Sequence, residues 1–459
     1  MQGWNTLDTI VAPATAPGMG AIGIIRLSGP DALQIASRVF KGKDLTKQKS
    51  HTLHFGQIAD EHREIDEVVL SLFLHPKSYT GDDVVEISTH GSQFIMQQVV
   101  ELLVRHGARM AKPGEFTLRA FLNKKLDLSQ AEAVADLIAS ENKAMHQTAM
   151  QQMRGGFSAR IRQLRERLIH FASLIELELD FSEEDVEFAN RNDLQLLVNE
   201  IMEVVHQLSE SFQYGNVIKN GVPVVIAGKP NAGKSTLLNA LLNEERAIVS
   251  PMAGTTRDTI EEVLHIEGIA FRFIDTAGIR NNTDSEIETI GVERTFSKMS
   301  EASVVVLLFD INQTNAEELK KQVDEIKLHS TAKIIFAANK TDLNANPKIQ
   351  ELFTGFRPLI FMSSLRGSGV EDLKKKLLDT MKYDVSPNDT VITNLRHYEA
   401  LQSTYDALSK VMDNLNTTTL GELLAFDIRK ALFHLGEITG EITTDDLLEN
   451  IFSKFCIGK

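Results

Sequence analysis

The sequence predicts a multidomain chain that combines α/β and all-α domains. Its 459 residues exceed what one ordinary core organises, and 42% of them are hydrophobic, which is ample for packed interiors. The apolar pattern also changes along the chain, from short β-branched runs to helical spacing and then to strand–helix alternation. These changes predict domains at 1–121, at 122–216 plus 380–459, and at 217–379.

The first domain mixes strand patterns with a helical one. The runs AIGIIRLSG, EVVLSLFLH and DVVEIST are rich in β-branched residues and are typical of strands. The run FIMQQVVELLVRHG has apolar residues at helical spacing and reaches Gly107, a residue type that often ends helices. The mixture predicts an α/β fold.

Helical spacing takes over near residue 122. Ser129 is predicted to cap the first helix there, with Glu132 three residues on completing a capping box. The segment after residue 380 is again helical in character. We expect the two helical segments to pack together, so that the domain between them is an insertion in a helical domain.

The inserted domain alternates apolar runs with turns and helices. The runs VPVVIAG, IAFRFIDTAG, SVVVLLFD, KIIFAANK and PLIFMSS are apolar almost throughout. This composition favours strands buried on both faces of a mostly parallel sheet.

Composition restricts the function classes. With 48 basic and 63 acidic residues the formal charge is −15, so bulk attraction to nucleic acid is excluded and any such contact needs a local basic surface or a partner. The one cysteine, Cys456, excludes an intramolecular disulfide and fits a reducing compartment. Neither a signal peptide nor a membrane-spanning run is apparent, so we expect a soluble, cytoplasmic protein.

A phosphate-binding motif opens the inserted domain. Residues Gly228 to Ser235 read GKPNAGKS and fit G-x-x-x-x-G-K-[ST]. A predicted strand precedes the motif and a predicted helix follows it, which disfavours the alternative of a chance glycine-rich turn. Lys234 is expected to reach the β- and γ-phosphates, and the Ser235 hydroxyl to ligate Mg²⁺.

The sequence NKTD at Asn339–Asp342 indicates guanine rather than adenine. A carboxylate at Asp342 accepts from N1–H and the exocyclic amine of guanine, and adenine would leave it partly unpaired. Alone, NKTD is a common solvated loop, but it follows a strand in register with the phosphate loop. Ser363, Ser364 and Leu365 are predicted to form the last loop around the base.

Two further elements complete the order expected of a Ras-like G domain. Asp275 in DTAG would hold Mg²⁺ through water, and Thr256 in AGTTRD is the predicted second hydroxyl ligand, with a helix cap or turn as the alternative. Together these elements predict a GTPase. The predicted nucleotide-contacting residues are Asn231, Ala232, Gly233, Lys234, Ser235, Thr236, Ser250, Pro251, Met252, Ala253, Gly254, Thr255, Thr256, Asp275, Thr276, Ala277, Gly278, Asn339, Lys340, Thr341, Asp342, Ser363, Ser364 and Leu365.

Hydrolysis needs a substitute for the glutamine that Ras-type enzymes place after DTAG, because Ile279 stands there. Asn231 and the backbone carbonyls of 248–254 could hold a monovalent cation where an arginine charge would sit, although Asn231 alone reads as an ordinary loop residue. Downstream carboxylates either position water or form a solvated acidic loop. They are Asp284, Glu286, Glu288 and Glu293.

The motifs GKPNAGKST, AGTTRD, DTAGIR, EIETIGVER and NKTD resemble those of the MnmE (TrmE) family of tRNA-modification GTPases. The stretches APATAPGMGAIGIIRLSG, KPGEFTLRAFLNKKLDLSQ and the terminal FCIGK extend the resemblance over nearly the whole chain. It implies a homodimer joined through an N-terminal domain related to folate-binding domains. It also implies a 5-formyltetrahydrofolate site, matched by Arg26, Glu86, Lys125 and Lys459, each of which otherwise reads as a surface charge.

The resemblance further implies that G domains pair across the nucleotides under the control of potassium. The potassium positions are matched by Asn231, Ser250, Met252 and Thr255. Glu288 matches the residue that activates water, and Glu286 is the alternative because the loop is one residue longer than expected. The implied catalytic residues are therefore Glu288, Lys234 and Asn231.

The implied reaction is the modification of wobble uridine 34 of certain tRNAs with a carboxymethylaminomethyl or aminomethyl group at C5, using formyl-folate carbon. The implied partner is MnmG (GidA), a flavin- and NADH-dependent protein, in a heterotetramer. The alternative is an Era- or Der-like ribosome-assembly GTPase. Five arginines in one helical stretch suggest an RNA-facing strip, but a solvated face with local ion pairs is favoured. They are Arg154, Arg160, Arg162, Arg165 and Arg167.

Overall fold

Contacts within the chain separate two compact units in the computed structural model. The structure describes residues 7–60, 63–180, 190–243, 262–274, 302–343, 351–381, 390–416 and 421–459. Unit 1 comprises Met1–Ser140, His146–Gln207 and Arg396–Lys459, and unit 2 comprises Glu141–Met145 and Leu208–Leu395. The predicted domain boundaries at 1–121, 122–216 plus 380–459, and 217–379 are not tested by this division and stay predictions.

Unit 1 begins with a mixed sheet of seven strands among the described residues. The strands are β1 Ile10–Pro13, β2 Ile22–Ser28, β3 Phe40–Lys41, β4 Thr52–Ala59, β5 Glu64–Phe73, β6 Val84–His90 and β7 Arg109–Met110. Their order is β3-β4-β5-β6-β2-β1-β7, and neighbours are antiparallel except for the parallel pair β1 and β7. Three of these strands were predicted from β-branched runs.

One face of this sheet carries the core. Helices α1 Ala32–Val39 and α2 Gln93–Arg105 pack on it, and Ile25, Ile35 and Val99 lie in one buried cluster. The alternation of strand side chains sends Arg26 to the other face, directly opposite Glu86 of β6. The sheet register therefore brings a cation and an anion together before any loop is considered.

The remaining helices follow in chain order. They are α3 Glu115–Leu122, α4 Leu128–Ile138, α5 Lys143–Met153, α6 Gly156–Asp180, α7 Arg191–Asn220, α8 Lys234–Asn243, α9 Ala316–His329, α10 Val370–Thr380, α11 Leu395–Asn416, α12 Gly421–Thr439 and α13 Asp445–Phe452. Within the parts of the chain that the structure describes, none of them is both long and apolar enough to cross a bilayer.

The cap of α4 differs from the predicted one. Asp127 is the N-cap, and its side chain accepts from the Gln130 backbone N–H at 2.9 Å while Gln130 completes the capping box. Ser129 lies inside the first turn and donates to Asp127 at 2.8 Å. The prediction that Ser129 and Glu132 form the box is wrong, because the helix begins two residues earlier and turns Glu132 inward.

Buried Glu132 joins α4 to α11. It accepts two hydrogen bonds from Arg396, at 3.0 and 2.7 Å, and lies 2.8 Å from His397 Nε2. Burial alone would raise the pKa of this carboxyl, but the charges and hydrogen bonds of His397 and Arg396 prevail and lower it to about 2. Residues 264 positions apart are thereby locked together inside unit 1.

Unit 2 is built on a second sheet. Its strands are β8 Val222–Ala227, β9 Glu262–Ile266, β10 Ile269–Phe273, β11 Val304–Asp310, β12 Lys333–Asn339 and β13 Leu359–Phe361. Their order is β13-β12-β11-β8-β10-β9, parallel throughout except for the antiparallel pair β9 and β10. The predicted, mostly parallel sheet is therefore observed.

Both faces of this sheet are covered. Val224 and Ile226 of β8 face one hydrophobic cluster, whereas Val225 faces another on the opposite side. Every residue of β11 is buried. Because parallel strands end at one edge, the loops after β8, β11 and β12 lie next to each other at that edge.

Candidate functional site

The loop after β8 contains three residues with positive φ, Gly228, Asn231 and Gly233. Gly228 has φ +147°, and a Cβ there would lie 2.1 Å from the Leu308 carbonyl oxygen of β11. Gly233 has φ +101°, and a Cβ there would lie 2.4 Å from Asn339 Nδ2. Asn231 has φ +62°, in the left-handed region that non-glycine residues seldom occupy. The Leu308 backbone at one end of the loop and the buried Asn339 side chain at the other thus leave room only for glycine.

Lys234 begins α8 and points back over this loop. Its Nζ donates to the carbonyl oxygens of Gly228 at 2.6 Å and Lys229 at 3.0 Å. Burial lowers its pKa. A partly desolvated ammonium in a cradle of backbone groups is suited to binding phosphate oxygens, and Ser235 and Thr236 follow it at the helix N-terminus.

Asn339 connects the phosphate loop to the two loops predicted to surround the base. It ends β12 and is 2% exposed. Its Nδ2 donates to the Ala232 carbonyl at 2.8 Å, and its Oδ1 accepts from Ser364 N at 2.9 Å and Ser364 Oγ at 3.0 Å. One side chain therefore holds three separate segments together.

The carboxylate of Asp342 lies beside the Ser363–Leu365 loop. A hydrogen bond from Ser363 holds its pKa below the ordinary value, so it remains an acceptor. Arg366 Nε is 3.7 Å away, and Thr341 N donates to the Met362 carbonyl at 3.2 Å. The segments predicted to recognise guanine are thus adjacent in the structure.

Other predicted residues lie outside the described part of the chain. They are Ser250, Pro251, Met252, Ala253, Gly254, Thr255, Thr256, Asp275, Thr276, Ala277, Gly278, Asp284, Glu286, Glu288 and Glu293. The second magnesium hydroxyl, most of the potassium set and the water-activating carboxylate therefore stay predictions. Among described residues, no group of three or more His, Cys, Asp or Glu side chains could hold a metal.

A second charged site lies in unit 1. Arg26 Nε donates to Glu86 at 2.8 Å, Nη2 lies 2.7 Å from the same carboxylate, and Nη1 donates to the Gly458 carbonyl at 3.2 Å. The guanidinium carbon lies 5.7 Å from the ring centroids of both Tyr79 and Phe116. We call this group, Arg26, Tyr79, Glu86, Phe116 and Gly458, the N-terminal cluster.

Lys459 lies near the N-terminal cluster, whereas Lys125 contacts the segment that contains Pro76. Burial, and then the charge of Arg26, lower the pKa of Lys459. Lys125 Nζ instead donates to the Pro76 carbonyl at 3.1 Å, in the segment that leads to Tyr79. The structure therefore brings three of the four predicted folate residues together.

Sequence reasoning missed the aromatic residues of the cluster. Tyr79 and Phe116 lie in SYTGDD and PGEFT, stretches that only the family resemblance distinguishes. What marks them is their closeness to the Arg26 guanidinium, which only the three-dimensional structure reveals.

Of the five predicted arginines, Arg154 precedes α6 and the other four lie in it, and their contacts agree with the favoured interpretation of a solvated face with local ion pairs. Arg162 lies 3.2 Å from Asp127, Arg165 pairs with Glu441, and Arg167 lies 2.8 Å from Glu200. Three of the five arginines thus have carboxylate partners, as a solvated, ion-paired helix predicts.

Comparison with known proteins identifies the family. Residues 9–125 match the family model of the GTP-binding protein TrmE N-terminus, and residues 128–456 match that of the MnmE helical domain. A tRNA modification GTPase MnmE from Cytophaga hutchinsonii is 58% identical, covering 99% of this chain and 98% of that protein. Proteins of the same name from Christiangramia forsetii and Bacteroides thetaiotaomicron are 56% and 51% identical, each covering 98% of this chain and 99% of theirs. The chain therefore belongs to the MnmE family of GTP-hydrolysing tRNA modification proteins.

Proposed function

We propose that this chain uses GTP hydrolysis in unit 2 to drive modification of wobble uridine 34 of certain tRNAs, together with MnmG (GidA), in the cytoplasm. The observation that carries the proposal is the buried side chain of Asn339. It connects the phosphate loop to the loop that contains Ser364, so that one purine triphosphate can contact the first loop through its phosphates and the second through its base. The family assignment sets aside the Era- or Der-like alternative.

The described residues suit a triphosphate with Mg²⁺. Lys234 would exchange its two carbonyl contacts for β- and γ-phosphate oxygens, and Ser235 would ligate the ion. Mg²⁺ supplies charge neutralisation on the phosphates. Asp342, held ionised beside Ser363, would accept from N1–H and the exocyclic amine of guanine.

Potassium completes this proposal. Asn231 has a left-handed backbone conformation within the phosphate loop, and its side chain would hold K⁺ with Ser250, Met252 and Thr255. Glu288, or Glu286, would activate water. Hydrolysis in Na⁺ should be at least about tenfold slower than in K⁺, because the cation stands where an arginine charge stabilises the transition state. Equal rates in matched salts would contradict the cation role.

We further propose that the N-terminal cluster binds 5-formyltetrahydrofolate. Arg26 and Lys459 offer cations for its glutamate carboxylates, and Glu86 offers an acceptor for pterin N–H groups. Tyr79 and Phe116 add aromatic surface. Lys125 would join through the segment that it contacts at Pro76.

The proposal includes a homodimer through an N-terminal domain of folate-binding type, with the G domain inserted in the helical domain. The long segment Leu208–Leu395 of unit 2 does lie in sequence between two parts of unit 1. On the sheet face opposite the core, Leu53, Phe55 and Val69 are 70%, 68% and 39% exposed, and Phe55 pairs directly with Val69. Such a patch suits a second copy of the chain.

Mutation of this patch tests the dimer. Phe55→Asp should yield monomers in sedimentation, whereas Leu328→Asp, at an even more exposed apolar residue of unit 2, should not. A dimeric Phe55→Asp protein would move the interface elsewhere.

The deciding experiment for the whole proposal measures tRNA nucleosides by mass spectrometry in cells lacking this protein. Loss of the C5 carboxymethylaminomethyl or aminomethyl group from wobble uridine, restored by the wild-type gene but not by Lys234→Met, is the expected result. Unchanged nucleosides would reject the proposed reaction.

A further inference from the structure

Asp310 ends β11 and contacts Lys340 in the segment from Asn339 to Asp342. No sequence motif marks Asp310 as a functional residue. Its Oδ2 lies 2.8 Å from Lys340 Nζ. Its Oδ1 accepts from Asn312 N at 2.9 Å and from Asn312 Nδ2 at 3.2 Å. Both carboxylate oxygens are therefore engaged with this edge of the sheet.

Lys340 is held a second time through its backbone. Asn312 Nδ2 donates to the Lys340 carbonyl at 3.1 Å, and Lys340 has φ +63°. A lysine in the left-handed region is strained unless its surroundings hold it there. Asp310 thus contacts the side chain of Lys340 directly and its carbonyl through Asn312.

The ion pair lies in a partly desolvated place. The side chains of Asp310 and Lys340 are 9% and 28% exposed. Burial would raise the pKa of Asp310, but the hydrogen bonds from Lys340 and Asn312 outweigh it and lower the pKa below the ordinary value. Asp310 is therefore ionised at neutral pH, and losing Lys340 would leave this partly desolvated carboxylate uncompensated.

The neighbours of Lys340 are the residues with proposed nucleotide roles. Asn339 precedes it and bonds to the phosphate loop, and Asp342 follows two residues later. A change in the Lys340 backbone would rotate the peptide groups that aim these two side chains.

We propose that Asp310 is a positioning residue for guanine recognition, which acts through Lys340 and does not touch the nucleotide. The inference rests on the proposed contact of Asp342 with guanine. Asp310 sets the orientation of the segment from Asn339 to Asp342. A carboxamide at this position has only one acceptor oxygen, so it cannot accept from Lys340 and Asn312 through two separate oxygens as the carboxylate does.

The test is a double-mutant cycle on the full chain with a fluorescent GDP analogue. Asp310→Asn should raise the GDP Kd about tenfold, mainly through faster dissociation, and should raise KM for GTP while leaving kcat within about twofold. Lys340→Met should weaken GDP binding at least as much. The double variant should bind no more weakly than Lys340→Met alone, since Asp310 acts through that side chain.

Matched variants make the result specific. Glu317→Gln, which removes one exposed negative charge at the start of α9 in the same unit, should leave GDP affinity unchanged. Asn312→Ala, on an exposed residue, should weaken GDP about threefold, and it serves if Asp310→Asn does not fold. Additive effects of Asp310→Asn and Lys340→Met, or wild-type GDP affinity in Asp310→Asn and Asn312→Ala, would overturn the inference.

One more comparison separates this inference from the proposal beneath it. Asp342→Asn should shift preference from GDP to XDP, because the xanthine C2 carbonyl can accept from the new amide. If it does not, guanine recognition by Asp342 is wrong and this inference falls with it. If it does, and Asp310→Asn still binds GDP normally, only the role of Asp310 is wrong.

Discussion

The nucleotide site and the N-terminal cluster differ in the way the chain builds them. The phosphate loop is one continuous segment whose shape follows from its glycines, and its Lys234 contacts carbonyls only five and six residues away. Arg26 of the N-terminal cluster instead contacts Glu86, 60 positions away, and Gly458, 432 positions away. The first site can be recognised from a motif, and the second only from a fold or a family.

The difference teaches where each site is vulnerable. A contiguous loop fails when one of its own residues is changed, because its local geometry is the site. A dispersed cluster also depends on every element that brings distant residues together, such as the Glu132–Arg396 pair within the same unit. Substitutions in the phosphate loop should therefore affect the chemistry of that loop, whereas substitutions that affect the N-terminal cluster also report on how the elements of unit 1 are assembled.

The largest effect is expected at the phosphate loop. Lys234→Met should lower the rate of GTP hydrolysis about 1,000-fold, because it removes the ammonium that we propose contacts the β- and γ-phosphates. Steady-state phosphate release measures it. Lys229→Met, a neighbouring lysine that pairs with Glu318, is the control and should stay within about threefold. Similar losses in both variants would show that general loop charge, not position, matters.

Glu132→Gln should reduce the free energy of unfolding of unit 1 by roughly 3 kcal/mol at pH 7. This figure follows from the pKa of Glu132, which the fold lowers from 4.5 to about 2. Since the folded pKa is depressed, this stabilisation is present above pH 4.5 and disappears as the pH falls towards 2. Urea denaturation of wild type and variant across this range should therefore give converging curves. A difference that does not change with pH would attribute the loss to packing.

Arg26→Met should raise the Kd for 5-formyltetrahydrofolate about 30-fold, since it removes a charge-assisted contact and frees Glu86. Titration calorimetry would measure this, and GTP hydrolysis should be unchanged. Arg105→Met, which breaks a more exposed pair with Asp60 in the same domain, is the control. Folate affinity that is equal in Arg26→Met and wild type would remove the folate assignment.

The smallest effect is expected from Gly458→Ala. A Cβ there would lie 2.2 Å from the Pro13 carbonyl, and the residue has φ +96°. The segment around Gly458 should shift and weaken folate binding about fivefold, because Arg26 would lose only its longest hydrogen bond, at 3.2 Å. No change would place Gly458 outside the binding site.

Much of the G-domain architecture could be predicted from sequence because buried parallel strands and the phosphate loop leave local patterns. The runs predicted for β8, β11 and β12 are strands in the structure, and the loops after them meet. The edge strand β9 was not predicted, since a half-exposed strand of five residues leaves little pattern.

Other features could not be predicted because they depend on competition or on distance. Asp127 and Ser129 are both good caps two residues apart, and tertiary packing of Glu132 decides between them. Nothing local marks Arg396 or Asp310 as partners of Glu132 and Lys340. These ion pairs form only after helices or strands far apart in sequence have packed.

The contact between Arg26 and the Gly458 carbonyl also has a consequence for biosynthesis. The sheet that carries Arg26 leaves the ribosome long before Gly458 is made, since 432 positions separate them. At about 5–20 residues per second, the N-terminal cluster waits between about 20 and about 90 seconds for its final acceptor. A nascent chain can therefore fold its first sheet early, whereas the contact of Arg26 with Gly458 can form only after Gly458 has been made.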